Sequence, residues 1–185
     1  MTRASDTARL LGAGGTLADG NIAFASGHGI DFSANSSASG MSSELFDHYE
    51  EGTFSVTLSD ASSGGNTGSA SQSNKYVRIG NKVWMHFNII NINYTGMTTS
   101  NVLFFTGLPF TPATGSNGCG SIFLDRFNIA DNRYQVNIFQ NAGQSYAVVL
   151  QNADFGASSA TGSSAVVSLF DNGNADLFGT YMIEV

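Results

Sequence analysis

The chain has 185 residues, 42% of them hydrophobic and 11% charged, and this length and composition are typical of one main globular domain. Its net charge of −7, with only seven Lys and Arg residues, argues against nucleic acid as the main partner, because affinity for phosphates comes mainly from basic side chains. The lone Cys119 excludes an intrachain disulfide and a cysteine-based metal site.

The N-terminus, MTRASDTARLLGAGG, does not have the pattern of a secretory signal, because its apolar segment is too short and too interrupted. The sequence also contains no run of 18 apolar residues, so it predicts no insertion into a membrane. We therefore expect a protein that is made and used without export through a membrane.

GNIAFASGHGIDFS contains two pairs of large apolar residues, Ile22 with Phe24 and Ile30 with Phe32. So short a segment cannot bury these side chains in a core of its own, because segments below about 40 residues need metals, disulfides or association. We therefore predict that residues 20–35 intertwine with the same segment of neighbouring subunits.

The amino-acid composition changes after this segment. NSSASG, residues 35–40, is rich in Ser, Ala and Gly and is predicted to form a hinge. SSELFDHYEEG, residues 42–52, is predicted to form a short helix with Ser42 or Ser43 as its cap. After residue 50 no convincing amphipathic helix pattern follows.

Alternating hydrophobicity predicts strands through the rest of the chain. In KVWMHFNIINI, residues 82–92, Val83, Met85, Phe87 and Ile89 share one face. This is the longest predicted strand, and we place it at the centre of the sheet. The other predicted strands are TFSVTL (53–58), KYVRI (75–79), VLFFT (102–106), SIFL (121–124), RYQVNIF (133–139), YAVVLQ (146–151), AVVSLF (165–170) and TYMIEV (180–185).

The links between these strands are rich in Gly and Asn, which supply the positive-φ residues of tight turns. Two longer segments, residues 59–74 and 111–120, are too polar and too rich in glycine to be buried, and we interpret them as surface segments or as elements that become ordered on contact with a partner. About nine strands joined in this way predict an all-β fold, most simply an antiparallel jelly-roll-like sandwich. The strand spacing fits other sandwiches as well.

The motifs GNIAFASGHGIDFSA, SSELFDHYEEGTFSVTL, KYVRIGNKVWM and GLPFTP, in that order, resemble a module of bacteriophage tail fibres and related virion proteins, above all in phages of marine bacteria. In that module an ASGKGIDFSA-like stretch precedes LDDYEEGTWTP, a Y-x-K-I-G strand and a GLPF turn. The resemblance covers roughly residues 20–112. The chain departs from the module at Phe54, where Trp is usual, and at Arg78, where Lys is frequent.

The resemblance implies a homotrimeric, non-enzymatic virion protein whose C-terminal β domain meets a host surface or another virion component. TRASDTARLLGAGG is similar to leaders of such proteins, which implies docking on another virion protein. Threefold symmetry agrees with the predicted intertwining, because closed homo-oligomers bury equivalent surfaces identically. The predicted organisation is a docking leader (1–19), an oligomerising β segment with its hinge (20–47) and a β-sandwich head (48–185).

The charged stretch DHYEEGTF, residues 47–54, is the first candidate for acid/base chemistry. A general acid/base pair needs two carboxylates that converge on one bond, roughly 5–10 Å apart. Glu50 and Glu51 are neighbours, so they point in divergent directions in a helix or a strand. We interpret the stretch as the polar start of the first sandwich strand, with its acids capping or pairing with Arg78 or Arg126 across an interface.

Metal sites are not predicted from the spacing of the candidate ligands. Of His28, His48 and His86, no two lie closer than 20 positions in the sequence, whereas zinc ligands are usually closely spaced. A metal bound by copies of His28 or His86 on a threefold axis is the alternative to a hydrogen-bonded His86 on a strand face. DNGNAD, residues 171–176, lacks the EF-hand order, and we interpret it as an Asx-rich turn. No cofactor is predicted.

Nucleophilic catalysis is not predicted either, because the sequence has no G-x-S-x-G motif and no basic residue close to Cys119. Sugar binding fits better, since aromatic rings suit the apolar face of a saccharide and amides suit its hydroxyls. Cross-strand packing is the alternative role of the tyrosines. The candidate receptor-binding residues are Tyr94, Asn132, Tyr134, Asn141 and Tyr146.

Together these observations predict a homotrimeric phage virion protein of fibre type, located in the virion, whose β head recognises the host surface, with a glycan as the candidate ligand. The alternative is a capsid-decoration or head-fibre protein without a receptor role, which the length of 185 residues favours over a long tail fibre. A polysaccharide depolymerase fits poorly, since there is no long β-helix repeat and no converging pair of carboxylates.

Overall fold

The computed structural model of the chain is all-β, with 53% of residues in strands that form antiparallel sheets. Its described part divides into two compact units, the first ending at Tyr49 and the second running from Glu50 to Val185. No helix in this part is long and apolar enough to cross a membrane. The structure describes residues 15–18, 21–41, 43–129, 133–153 and 162–185.

The first unit contains two short antiparallel ladders. Strand β1 (Gly15–Ala18) pairs with β2 (Asn21–Phe24), and β3 (Ile30–Asp31) pairs with β4 (Leu45–Phe46). The helix predicted over residues 42–52 is therefore wrong. An isolated helix of that length is only marginally stable, whereas strand pairing gives the backbone partners, as where the Phe32 N–H donates to the Glu44 carbonyl oxygen at 3.0 Å.

Eleven strands form the sheet of the head, in the spatial order β5-β8-β9-β15-β11-β12-β13-β10-β6, with β7 paired to β9 and β14 paired to β13. The strands are β5 (Tyr49–Phe54), β6 (Thr57–Ser59), β7 (Ser69–Gln72), β8 (Asn74–Ile79), β9 (Lys82–Asn93), β10 (Phe104–Thr106), β11 (Gly118–Asp125), β12 (Arg133–Gln140), β13 (Tyr146–Ala153), β14 (Ser163–Ser164) and β15 (Ala175–Glu184).

The sheet curls, so that β6 at one end of the spatial order comes close to β7, which pairs with β9 near the other end. Beyond β6, Ser59 bridges to Thr67, and the Gly68 N–H donates to the Leu58 carbonyl oxygen at 3.0 Å. The chain then enters β7, which pairs with β9. The inward side chains of the curled sheet thereby enclose one core.

Strand β9 confirms the predicted central strand. Its inward residues from Val83 to Ile89 are fully buried, and it pairs with β8, β7 and β15. Asn91 adopts a φ of 57°, and here two residues of β9 lie opposite one residue of β15. This β-bulge shifts the alternation, so that Ile92 enters the core.

The other strand predictions have mixed outcomes. Those over residues 75–79, 121–124, 133–139, 146–151 and 180–185 are confirmed within β8, β11, β12, β13 and β15. The segment 102–106 is a strand only over Phe104–Thr106, and 53–58 is divided between β5 and β6.

Two further predictions are wrong. AVVSLF, residues 165–170, contains a 3₁₀ turn over Val167–Leu169 in place of a strand, because its buried residues Ala165, Val167 and Phe170 do not follow a period of two. The segment 59–74 is not purely surface loop, since it holds β7 and the buried Asp60.

The core centres on Phe87, whose ring stacks on that of Tyr181 with centroids 5.6 Å apart. The Tyr181 hydroxyl donates to Gln140 Oε1 at 2.8 Å, and Gln140 Nε2 donates to the carbonyl oxygens of Phe110 and Gln144. Burial raises the pKa of Tyr181, so this hydroxyl remains a protonated donor. The polar groups inside the head therefore satisfy one another.

Candidate functional site

Connecting segments of the head meet beyond one end of the strands, which we call the loop end. Three hydrogen bonds tie them together: Thr98 N–H to Asp60 Oδ2 at 2.7 Å, Tyr94 N–H to Asn172 Oδ1 at 2.8 Å, and Asp171 N–H to the Arg126 carbonyl oxygen at 3.0 Å. The segments are 60–66, 94–101, 126–129 and 167–174.

Asp60 organises one side of the loop end. Its carboxylate accepts hydrogen bonds from the Thr98 N–H, from the Asn66 N–H at 2.7 Å and from Asn66 Nδ2 at 3.0 Å. The bond from the Thr98 backbone, with those from Asn66, holds the pKa of Asp60 below its ordinary value. Asp60 therefore fixes the segment 94–101 against the segment 60–66.

The pKa of Asp60 has a defined consequence for stability. Because it is lower in the folded than in the unfolded chain, the stabilisation is present above the unfolded pKa and is lost as the pH falls below about 4 and through the folded pKa. We expect Asp60→Asn to lower the Tm by several degrees at pH 7 and to flatten the loss of Tm between pH 5 and 2. Thermal melts at five pH values measure this. Asp47→Asn, in the first unit, is the control, and identical acid profiles for the two variants would contradict the expectation.

Beside this network lies a shallow open cleft of about 420 Å³. Two segments that run past each other form the cleft: one follows β11, and the other contains the 3₁₀ turn. Phe127 bridges to Phe170, and the Asn128 N–H donates to the Leu169 carbonyl oxygen at 2.7 Å. The lining residues are Arg126, Phe127, Asn128, Ser168, Leu169, Phe170 and Asp171.

The floor of the cleft is aromatic and rigid. The rings of Phe127 and Phe170 meet edge to face with centroids 5.0 Å apart, and Phe170 is 1% exposed. Phe170 belongs to the core, so it anchors the half-buried Phe127 above it. The cleft therefore offers a fixed apolar surface between polar walls.

Arg126 holds a strained backbone conformation at the rim, with a φ of 52°. For a residue other than glycine this region costs roughly 1–2 kcal/mol. Two hydrogen bonds hold it there, because its N–H donates to Asp125 Oδ1 at 3.0 Å and its carbonyl oxygen accepts from the Asp171 N–H. Strain that the surroundings enforce in this way is a common property of binding sites.

The cleft pairs one cation with one anion, because Arg126 Nη1 lies 3.8 Å from Asp171 Oδ2 and both side chains are about half exposed. At that distance and exposure the ion pair contributes little to stability, so both groups are available to a ligand. Asn128 and Ser168 add an amide and a hydroxyl. This set can exchange hydrogen bonds with several hydroxyls while the ring contacts C–H groups.

Metal chemistry finds no support in the described part of the chain, where no group of three or more His, Cys, Asp and Glu side chains is placed to hold an ion. In DNGNAD two of the oxygens already have hydrogen-bond partners: Asp171 O accepts from the N–H groups of Asn174 and Ala175, and Asp176 Oδ1 accepts from the Asn91 N–H at 2.8 Å. The stretch is the turn that the sequence predicts.

No protein-family model, curated protein or solved structure matches this chain.

The structure does not bring the predicted receptor-binding residues together. Tyr94 lies at the loop end with its side chain half-buried. Asn141 and Tyr146 lie at the opposite end, Asn141 just after β12 and Tyr146 at the start of β13, and the Tyr146 ring packs edge to face on Phe104 with centroids 5.1 Å apart. Asn132 and the side chain of Tyr134 lie outside the described residues.

Of the cleft residues, the sequence singles out Arg126, as an ion-pair partner for the acids of DHYEEG, and Asp171, as part of the turn DNGNAD, and it assigns neither of them to a binding site. Within the chain Arg126 lies beside Asp171, the Glu50 carboxylate accepts a hydrogen bond from the Tyr76 hydroxyl, and Arg78 Nε donates to the Gly80 carbonyl oxygen at 2.9 Å. The two cleft segments are about 40 positions apart and share no motif, so no sequence pattern joins them.

A comparison of Arg126→Gly with Arg126→Ala measures the backbone strain at this position, because both variants lack the guanidinium. Glycine removes roughly 1–2 kcal/mol of strain but costs 0.5–1 kcal/mol of chain entropy, so we expect the free energy of unfolding to change by less than about 1 kcal/mol. Arg126→Ala keeps the strain and should be the less stable of the two. Urea unfolding compares them, and an alanine variant more stable than the glycine variant would show that the conformation is not strained.

Proposed function

We propose that this chain is a non-enzymatic structural protein of a phage virion, of fibre type. The part of its first unit that follows residue 19 forms a homotrimer, residues 1–19 dock on another virion protein, and the jelly-roll-like head recognises the host surface. The ordered motifs between residues 20 and 112, which resemble phage fibre modules, support the setting. One structural observation supports the formation of the homotrimer, which we call the assembly step.

That observation is the exposure of the first unit. Every large apolar side chain from residue 22 to residue 49 is between 38% and 60% exposed. Two-stranded ladders are marginal alone, so such surfaces need a neighbouring subunit. The exposed side chains are Ile22, Phe24, Ile30, Phe32, Met41, Leu45, Phe46 and Tyr49.

The first unit also presents a concavity of about 280 Å³ between its ladders. Phe24, Ile30, Phe46 and Tyr49 line it, with His28 at its edge. A large apolar side chain of a neighbouring subunit fits such a space. The four trimerisation residues, Ile22, Phe24, Ile30 and Phe32, therefore belong to a wider apolar surface that includes β4.

The cleft at the loop end is the receptor site that the head offers. Its balanced charge and its amide, hydroxyl and ring suit a neutral, polyhydroxylated ligand, which is the chemistry of a surface glycan. A strongly anionic ligand is less compatible, because Asp125 and Asp171 both lie at Arg126 and the chain carries a net charge of −7.

Light scattering of the purified chain tests the assembly step. We expect a trimer for the unaltered chain and a monomer for Phe24→Asp, since a carboxylate on the apolar surface must be desolvated on association. Ile129→Asp, at a head residue that is 42% exposed, is the matched control and should remain trimeric. A monomeric unaltered chain at tens of micromolar would overturn the assembly step.

Immunogold labelling of intact virions with an antibody to residues 113–185 tests the location. Label at the tail tip supports host recognition. Label spread over the capsid would replace host recognition with the alternative, a decoration or head-fibre protein.

Binding of the purified chain to host cells tests the cleft as the receptor site. Arg126→Ala should bind host cells at least tenfold more weakly than the unaltered chain.

A further inference from the structure

The outward face of the head carries a second apolar surface, which we call the apolar band. It consists of Val77, Trp84, Met182, Cys119 and Phe139, on β8, β9, β15, β11 and β12. Each residue is the direct cross-strand partner of the next, so the five side chains form one row across five strands. Trp84 is 39% and Met182 is 42% exposed.

An aromatic pair lies on the same face, four residues further along the strands. Phe123 and Phe178 are cross-strand partners whose rings stack with centroids 6.4 Å apart, and Phe123 is 64% exposed. Between the pair and the band lies a polar row in which His86 Nδ1 is 3.1 Å from Thr180 Oγ1. The face therefore alternates apolar, polar and apolar rows.

Charged side chains border this face at both ends. The ion pair of Lys82 Nζ and Glu184 Oε2, 2.8 Å long, lies just before the apolar band, and the cross-strand partners Asp125 and Asp176 lie just beyond the aromatic pair. Between these borders the outward residues of β9, β15, β11 and β12 include no Lys, Arg, Asp or Glu, and β8 adds one cation, the exposed Lys75 opposite His86. A centre that contains aromatic residues and Met but no acidic side chain, with a charged rim, has the composition of a protein–protein interface.

We propose that this face packs about the threefold axis against the same face of the other two copies of the chain, so that the three heads of the oligomer contact one another. This inference rests on the proposed assembly through the first unit. Charge supports a second copy as the occupant. Two chains of −7 each repel, and they approach at least cost through a patch that carries no acidic side chain.

The size of the face supports the same occupant. Five strands at about 4.8 Å spacing and a strand length of about 13 Å give a footprint of roughly 250 Å². A stable interface between separate proteins needs about 800 Å² per partner. A free partner would therefore bind weakly here, whereas heads already tethered by their first units meet at an effective concentration near millimolar.

Cys119 provides the test, because it is the only thiol in the chain, it is exposed, and it stands in the middle of the apolar band. The rate at which a bulky maleimide labels Cys119 is measured on the full chain, with the subunit count followed by light scattering. We expect labelling at least tenfold slower in the oligomer than in the Phe24→Asp monomer. Met182→Lys should restore fast labelling without dissociating the oligomer, and Ile129→Lys, outside the band, should leave it slow.

Each other outcome overturns the inference in a distinguishable way. Fast labelling in an intact oligomer shows a free face and leaves the proposed assembly standing. Fast labelling in a monomer overturns both. Slow labelling in the Phe24→Asp monomer means that the chain covers its own thiol. Protection seen only in whole virions, and not in the isolated oligomer, assigns the face to another virion protein.

Discussion

Gly120→Ala should lower the free energy of unfolding of the head by about 3 kcal/mol, at the upper end of the cost of overpacking. Gly120 lies on β11, opposite Tyr181 of the central strand β15. A methyl group there would lie 2.3 Å from the Thr180 carbonyl oxygen and 2.4 Å from Tyr181 Cβ. These atoms cannot move away, because Tyr181 is held between the stacked Phe87 ring and Gln140.

The direction of this effect is informative, since strand propensity alone favours alanine over glycine by roughly 0.5–1 kcal/mol. Ser121→Ala is the control, because Ser121 is the next residue along β11 and its side chain is on the outward face. Surface changes of this kind usually stay within about 0.5 kcal/mol. Urea denaturation of both variants measures the difference, and a Gly120→Ala variant as stable as the unaltered chain would disprove the close packing.

Phe87→Ala should cost about 3–5 kcal/mol, the usual price of emptying a buried aromatic site. The Phe87 ring is fully buried and contacts three others, with centroids 5.4 Å from Phe54, 6.3 Å from Phe105 and 5.6 Å from Tyr181. The cavity would open between strands that are paired on both sides, so the surroundings can close it only in part.

Phe123→Ala makes the same chemical change at a site that is 64% exposed, and it should cost less than about 1 kcal/mol. Both variants are best compared in the Phe24→Asp background, where association does not contribute to the unfolding curve. Equal destabilisation by the two substitutions would contradict the placement of Phe87 at the centre of the core.

The sequence predicts the fold class because one period dominates it. In β9 the alternation from Val83 to Ile89 is unbroken, and the structure buries the expected face. It misses the bulge at Asn91, because a single left-handed residue leaves no trace in a hydrophobic pattern. It also misreads residues 165–170, where an apolar run is equally compatible with a strand and with a buried turn.

The cleft is beyond such reasoning for a different reason. Arg126 and Asp171 meet only because β11 and the 3₁₀ turn end at the same side of the head, and this depends on the order of strands in the sheet. The polar residue Asp60 likewise has the pattern of a loop residue, yet it is 4% exposed, because Asn66 of its own segment and Thr98 of the distant segment 94–101 both bond to its carboxylate. Local patterns predict elements, whereas contacts between distant elements assemble the site.

The position of β15 has a consequence for how the protein is made. β15 follows every other strand in the sequence, yet it lies between β9 and β11, and its Glu184 pairs with Lys82, 102 positions earlier. A nascent chain on the ribosome therefore carries two open strand edges, at β9 and β11, until Ala175–Glu184 has been translated. The head can close its sheet only once β15 has been translated, and it does so through long-range contacts, which slow folding and leave the two open edges prone to aggregation until then.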